Sequence, residues 1–80
     1  MEASAVSALV EAGLASCRVE VEGGGGKFEV TVVGEVFDGL SPVKRQQLVY
    51  ATLKEVIADG SVHAVTIRTF TPAQWSARGA

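Results

Sequence analysis

Two side chains of this 80-residue sequence have the chemistry to bind a transition metal: His63, the only histidine, and Cys17, the only cysteine. Imidazole and thiolate are common metal ligands, but a closed protein site uses about four ligands. The two residues therefore cannot form a complete site by themselves, and any metal would have to be shared with a partner. The alternative for His63 is a half-buried, hydrogen-bonded residue at the start of a strand.

Cys17 is predicted to pack as a small hydrophobic residue rather than to bind a metal. It begins a strand pattern in which Cys17, Val19 and Val21 share the apolar face. A single cysteine permits no internal disulfide, which fits a reducing compartment. No apolar run approaches the roughly 20 residues of a membrane span, and the N-terminus lacks the basic flank of a signal peptide. We therefore expect a soluble, cytoplasmic protein.

Two adjacent cations, Lys44 and Arg45, stand where the longest helical pattern begins. Cations in a first helical turn oppose the helix dipole, so they indicate a binding surface for nucleic acid or for an acidic partner. The alternative is a pair of solvated charges. Leu48, on the polar side of the same helix, and Lys27, in a glycine-rich loop, are further candidate contacts. The net charge of −2 weighs against nucleic acid as the main partner.

No arrangement of residues in the sequence indicates an enzyme. There is no Ser/His/Asp or Cys/His set with supporting acids, and no phosphate-binding loop precedes a helix. Gly23–Gly26 matches the GxxG loop with which a KH domain clamps nucleotides, but that loop joins two helices. Here the glycines separate two strand patterns, so we interpret the match as accidental.

The longest element that must position these residues is a helix that begins at Pro42 and ends at Asp59-Gly60. Ser41 is a suitable N-cap, proline is favoured at the first helical position, and Gly60 suits a left-handed cap. The side predicted to face the core carries Gln46, Val49, Tyr50, Leu53, Val56 and Ile57. The next segment, Val62–Phe70, is predicted to be a strand with His63 at its start.

Two shorter segments, Cys17–Glu22 and Lys27–Val33, alternate apolar and polar residues and predict a β-hairpin. A symmetric four-residue turn at Gly23–Gly26 would place the apolar side chains of both strands on one face. The pairs predicted from this turn are Val21 with Phe28, Val19 with Val30, and Cys17 with Val32.

Three further segments complete the predicted fold. An amphipathic helix covers residues 2–15, Val36 and Phe37 tuck under the connection after the hairpin, and Thr71-Pro72 opens a short last helix whose Trp75 packs onto the body. A right-handed crossover makes the third strand parallel to the second. We predict one domain over residues 1–80, of the α+β class, with a three-stranded mixed sheet packed on one face by helices.

These features together resemble the BolA family over about residues 27–75. The matching motifs are Phe37-Asp38-Gly39, Val49-Tyr50 ahead of Leu53, His63-Ala64, and Thr-Pro-x-x-Trp from Thr71 to Trp75. The segment from Lys44 to Gln47 is similar to the IbaG/YrbA-like branch of that family. The resemblance implies a class II KH-like αββαβ(α) fold, in agreement with the elements predicted above.

The resemblance also implies that His63 is a ligand of a [2Fe–2S] cluster shared with a monothiol glutaredoxin, which brings its own cysteine and a glutathione thiolate. The isolated protein, a monomer or weak homodimer, would hold no cluster. The family usually supplies a second ligand, a Cys or a His, from the loop between the first two strands, and here Gly23–Lys27 contains neither. Family members are also associated with stress and with transcriptional control. The alternative is therefore a KH-like regulator that contacts DNA through Lys44 and Arg45.

Overall fold

The computed structural model describes residues 1–78, and the predicted α+β class is confirmed. The sheet has the order β1-β2-β3, with β1 antiparallel to β2 and β2 parallel to β3, as the right-handed crossover predicted. A short 3₁₀ turn, Glu35–Phe37, follows β2. The elements in chain order are α1 (Ala3–Gly13), β1 (Arg18–Gly24), β2 (Lys27–Val33), α2 (Pro42–Ala58), β3 (Ala64–Phe70) and α3 (Pro72–Arg78).

The predicted register of the β-hairpin is wrong by two residues. The turn contains only Gly25 and Gly26, whose φ angles are +62° and +83°. A two-residue turn of this left-handed kind matches the twist of the flanking strands, so Gly23 and Gly24 extend β1 instead of forming the turn. The apolar face is unchanged, because a shift by two keeps every side chain on its side. The observed pairs include Val21 with Val30 and Val19 with Val32.

The core lies between one face of the sheet and the helices α1 and α2. Phe28, Val30 and Val32 of β2 occupy its centre. The helices and the connections add Val6, Val10, Phe37, Val49, Leu53 and Val62 to the same buried cluster.

Two parts of the predicted core are wrong. Tyr50 of α2 was placed on the buried side but is 43% exposed, and Val36 is 42% exposed whereas its neighbour Phe37 is fully buried. The ends of α2 are as predicted: the Ser41 hydroxyl accepts a hydrogen bond from the Lys44 amide at 3.3 Å, and Gly60 follows the helix with a φ of +83°.

The last helix begins with the predicted capping box. The main-chain amide of Gln74 donates to the Thr71 hydroxyl at 3.2 Å. The side-chain oxygen of Gln74 accepts from the main-chain amide of Thr71 at 2.9 Å. Trp75 packs edge-on against Phe70, with ring centroids 5.3 Å apart. Phe70 pairs with Val33, so alternation along the strands puts both on the face opposite Val32. Helix α3 thus adds a small cluster at one end of the second face.

Candidate functional site

His63 lies in the short segment between α2 and β3, which begins one residue later than His63 rather than at Val62. Its side chain is exposed, and within residues 1–78 its ring takes part in none of the side-chain hydrogen bonds or ion pairs. The half-buried, hydrogen-bonded histidine that was the alternative is therefore wrong. An exposed neutral imidazole keeps a lone pair for a ligand.

The main chain of His63 is held by hydrogen bonds, whereas within residues 1–78 its ring makes none. The Gly26 carbonyl accepts hydrogen bonds from the amides of both His63, at 2.7 Å, and Ala64, at 3.1 Å. The hairpin turn is thereby attached to the start of β3, where Lys27 pairs with Ala64. The structure brings together His63, the glycine turn and the exposed Lys27.

Two shallow depressions lie along the second half of α2, and the imidazole lines one of them. The first, of about 280 Å³, is lined by Tyr50, Ile57, Val62, His63, Ala64 and Val65. The second, of about 300 Å³, is lined by Tyr50, Ala51, Lys54, Ile57 and Ala58. Because they share Tyr50 and Ile57, an open and mostly apolar surface runs from His63 along the last turns of α2. Such a surface can contact a partner while the imidazole stands at its rim.

Cys17 lies at the opposite end of the sheet from His63. It precedes Arg18, which pairs with Val33 at the end of β2, whereas His63 adjoins the beginning of β2. A seven-residue strand separates these ends by about 20 Å. The Cys17 thiol is half-buried against the core, and this burial raises its pKa despite a hydrogen bond from Ser16 that lowers it. The predicted packing role of Cys17 is confirmed.

The two cations at the start of α2 differ in their surroundings. Lys44 is exposed. The Arg45 guanidinium donates from Nε to the Leu40 carbonyl at 3.1 Å and from Nη1 to the Gln74 side-chain oxygen at 2.9 Å. Arg45 therefore links α2 to the cap of α3. Leu48 is half-buried against the core rather than on an exposed polar side.

The candidate residues thus fall into two separate groups. Lys44, Arg45 and Leu48 lie in the first half of α2, and His63 with Lys27 lies beyond its end. Since α2 has 17 residues, its two ends are about 25 Å apart. Within residues 1–78 no group of three or more His, Cys, Asp or Glu side chains could hold a metal ion. The described residues therefore contain one exposed histidine and no closed metal site.

Sequence reasoning missed the contact between Gly26 and His63 and the exposure of Tyr50. The first gave no local signal, because every pair of neighbouring glycines within Gly23–Gly26 suits a two-residue hairpin turn. The exposure of Tyr50 could not be predicted from the hydrophobic periodicity of α2, which puts Tyr50 on the same side as Val49 and Leu53.

A comparison with protein families decides the relationship of the chain. The family model described as BolA-like protein matches residues 6–74. The chain belongs to the BolA family. The predicted family is thus confirmed, and residues 6–74 extend the match to α1, which lay outside the motifs used for the prediction.

Individual relatives agree with the family assignment. The acid stress protein IbaG of Escherichia coli strain K12 is 46% identical over 76 residues, which are 95% of this chain and 90% of that protein. The structure of a BolA protein homologue from Coxiella burnetii matches with a TM-score of 0.83 at 30% identity, over 95% of this chain and 97% of that one. The solution structure of BolA1 from Mus musculus matches with a TM-score of 0.79 at 36% identity, over 98% and 71% of the two chains.

The likeness to IbaG agrees with the predicted IbaG/YrbA-like branch. The helices described for this BolA-like chain include none that is both long and apolar enough to cross a membrane.

Proposed function

We propose that this BolA-like chain is a non-enzymatic accessory protein that binds a monothiol glutaredoxin and shares a [2Fe–2S] cluster with it through His63. The observation that carries the proposal is the state of the only imidazole. It is exposed, its main chain is anchored to the hairpin, and it stands at the rim of an apolar surface.

The chemistry of the donor set fits a shared cluster better than a resident one. A [2Fe–2S] cluster takes four terminal ligands from protein or thiol groups, and an imidazole in place of a thiolate reduces the negative charge and raises the reduction potential. The chain offers one imidazole, and Gly23–Lys27 contains no Cys or His to stand beside it. The thiolates therefore come from the glutaredoxin and its glutathione, and the cluster is cargo passed or held between two proteins.

The residues around His63 contribute binding rather than ligation. Tyr50, Ala51 and Ile57 supply apolar area to a partner, and the removal of water from that area favours association. Lys54 lines the surface with a positive charge, which complements the negative charge of a thiolate-ligated cluster. This role belongs in a reducing compartment, and we place the protein in the cytoplasm on that ground.

The proposal is tested by mixing the chain with a cluster-loaded monothiol glutaredoxin and recording visible circular dichroism. The expected result is a spectrum that differs from that of the glutaredoxin homodimer. His63→Ala should abolish the new spectrum, whereas Lys44→Ala, an exposed residue at the other end of α2, should keep it. A wild-type spectrum identical to that of the homodimer would reject cluster sharing.

A second candidate function, binding of DNA, is favoured by the exposed ammonium of Lys44 at the start of α2. The neighbouring Arg45 guanidinium donates to Leu40 and Gln74, so within residues 1–78 Lys44 is exposed whereas Arg45 is tied to the fold. The test is binding to duplex DNA at low salt, with Lys44→Ala as the variant. The candidate fails if no binding is detected, or if binding does not weaken as the salt concentration rises.

A further inference from the structure

We propose that Gly26 is a positioning residue for His63: its missing side chain lets the hairpin turn lie against the imidazole and fix the direction of the ring. The consequence for cluster sharing rests on the proposed function above. The positioning itself can be tested in the free protein.

The first observation is that one glycine contacts both parts of His63. The Gly26 carbonyl holds the His63 amide at 2.7 Å and the next amide at 3.1 Å. The α-carbon of the same residue faces the ring, since a Cβ built on Gly26 would overlap the imidazole carbon Cδ2. Gly26 is buried, although it lies at a hairpin tip where side chains are usually exposed. The backbone and the ring of His63 are thus located by a single residue.

The second observation is which edge of the ring meets the glycine. The Cβ position would lie 3.2 Å from Cγ and 3.3 Å from Nε2, the two ring atoms bonded to Cδ2. The two distances are nearly equal, and both are longer than the distance to Cδ2. The Cβ position therefore approaches Cδ2 along its C–H bond, in the plane of the ring. The opposite edge, which contains Nδ1, therefore points away from the hairpin.

The neighbouring glycine gives a matched comparison within the same turn. Gly25 and Gly26 both have a left-handed backbone, with φ of +62° and +83°. A Cβ on Gly25 would meet no atom within 4 Å, whereas a Cβ on Gly26 would displace the imidazole. Both alanine variants therefore carry backbone strain, but only the variant at Gly26 should move His63.

The positioning has a clear use for a shared ligand. A ligand that already faces its partner loses less conformational freedom on binding, and residues that orient a metal ligand typically contribute about 10- to 100-fold to metal affinity. Gly26 acts here by leaving space, so a hairpin without a ligand of its own still takes part in the site.

The first test is nuclear magnetic resonance of the free protein, in which the carbon-bound ring protons of the only histidine are assigned without ambiguity. Gly26→Ala should shift both ring-proton resonances, and Gly25→Ala should leave them at the wild-type positions. Equal spectra for the two variants would overturn the proposal. If Gly26→Ala does not fold, the pair Gly25→Asn and Gly26→Asn replaces it, because asparagine tolerates a left-handed backbone better.

The second test is a double-mutant cycle on the melting temperature. Gly26→Ala should melt about 5 °C below Gly25→Ala, which corresponds to roughly 1 kcal/mol in a domain of this size. In a His63→Ala background the two alanine variants should melt together, because the clash with the ring is gone. A difference that persists without the imidazole would show that Gly26 has a structural role only.

The third test separates this inference from the proposed function. With a cluster-loaded glutaredoxin, the circular dichroism spectrum of the shared cluster (the mixed-ligand spectrum) should appear in both variants. Gly26→Ala should need at least about tenfold more protein than Gly25→Ala to produce it. Equal titrations would overturn the role of Gly26 in ligation. If the wild-type chain gives no mixed-ligand spectrum, cluster sharing fails, while the resonance and melting experiments still decide whether Gly26 positions His63.

Discussion

The two ends of α2 differ in how their side chains are used. At the first end, Arg45 bonds to Leu40 and to Gln74, which also completes the cap of α3. At the other end, His63 is exposed, and the neighbouring Tyr50 is 43% exposed. One end therefore uses its polar groups to hold the fold together, and the other leaves an imidazole and a phenol exposed.

This difference separates structural from functional candidates better than residue type does. Arg45 and Lys44 are adjacent in sequence and were predicted as one cationic surface, yet one is tied into the fold and the other is exposed. Buried groups with satisfied hydrogen bonds contribute to stability, and their loss is costly. An exposed group such as His63, whose ring makes no hydrogen bond within residues 1–78, can be changed at small cost and is available to bind.

We call the first end of α2, with Arg45, the structural end, and the other end, with His63, the functional end. The largest effect on stability is expected at the structural end, from Phe37→Ala. Phe37 is fully buried, so its truncation should lower the free energy of unfolding by about 3–5 kcal/mol through lost burial and a cavity. Val36→Ala is the control, since Val36 is 42% exposed and its loss should cost less than about 1 kcal/mol. Urea unfolding of both variants measures the difference. Similar costs would mean that the burial of Phe37 is not what stabilises this end.

The next effect is expected from Arg45→Ala. It removes the hydrogen bonds to the Leu40 carbonyl and to Gln74 and should cost about 1–2 kcal/mol. Lys44→Ala should change stability by less than about 0.5 kcal/mol. Thermal unfolding of the two single variants checks this contrast. Equal losses of unfolding free energy in the two variants would contradict this prediction.

A smaller effect is expected at the functional end, from His63→Ala. Because the ring is exposed, its loss should change the free energy of unfolding by less than about 1 kcal/mol. On the proposed function, the same variant should still bind the glutaredoxin without its cluster, because the proposed contact surface also includes Tyr50 and Ile57. Thermal unfolding and calorimetric titration measure the two quantities. A cost of about 2 kcal/mol or more would assign His63 to the structural end instead.

The smallest effect concerns the thiol of Cys17, at the structural end of the sheet. Burial raises its pKa above the usual 9.0, so the folded chain retains the proton that the unfolded chain loses. The resulting stabilisation is complete below pH 9.0 and is lost as the pH rises through the folded value. Urea unfolding between neutral and alkaline pH should show this loss in the wild type but not in Cys17→Ser. Parallel pH profiles of the unfolding free energy for the wild type and Cys17→Ser would contradict this prediction.

The parts of the fold that could be predicted are those set by local chemistry. The ends of α2 follow from Ser41, Pro42 and Gly60, and the start of α3 follows from the capping box at Thr71, because each cap is complete within a few residues. The hairpin register was wrong because four consecutive glycines allow more than one turn, and the choice depends on the twist of the paired strands.

The candidate site could be predicted only in part, for a related reason. His63 was found because it is the only histidine and because its motif resembles a family. Its exposure and its contact with Gly26 depend on where the hairpin meets β3, which is a long-range arrangement. The same holds for Arg45, whose partner Gln74 lies 29 residues away in the sequence.

The most direct test of the central claim is to detect the bond between His63 and the cluster. Because the chain has a single histidine, growth on ¹⁵N-histidine labels His63 alone. The labelled chain is mixed with an unlabelled, cluster-loaded monothiol glutaredoxin, and the reduced complex is studied by pulsed electron paramagnetic resonance. If His63 is a ligand, the labelled complex will show a strong ¹⁵N hyperfine coupling that is absent from the unlabelled complex. Identical spectra from the labelled and unlabelled complexes would contradict ligation by His63.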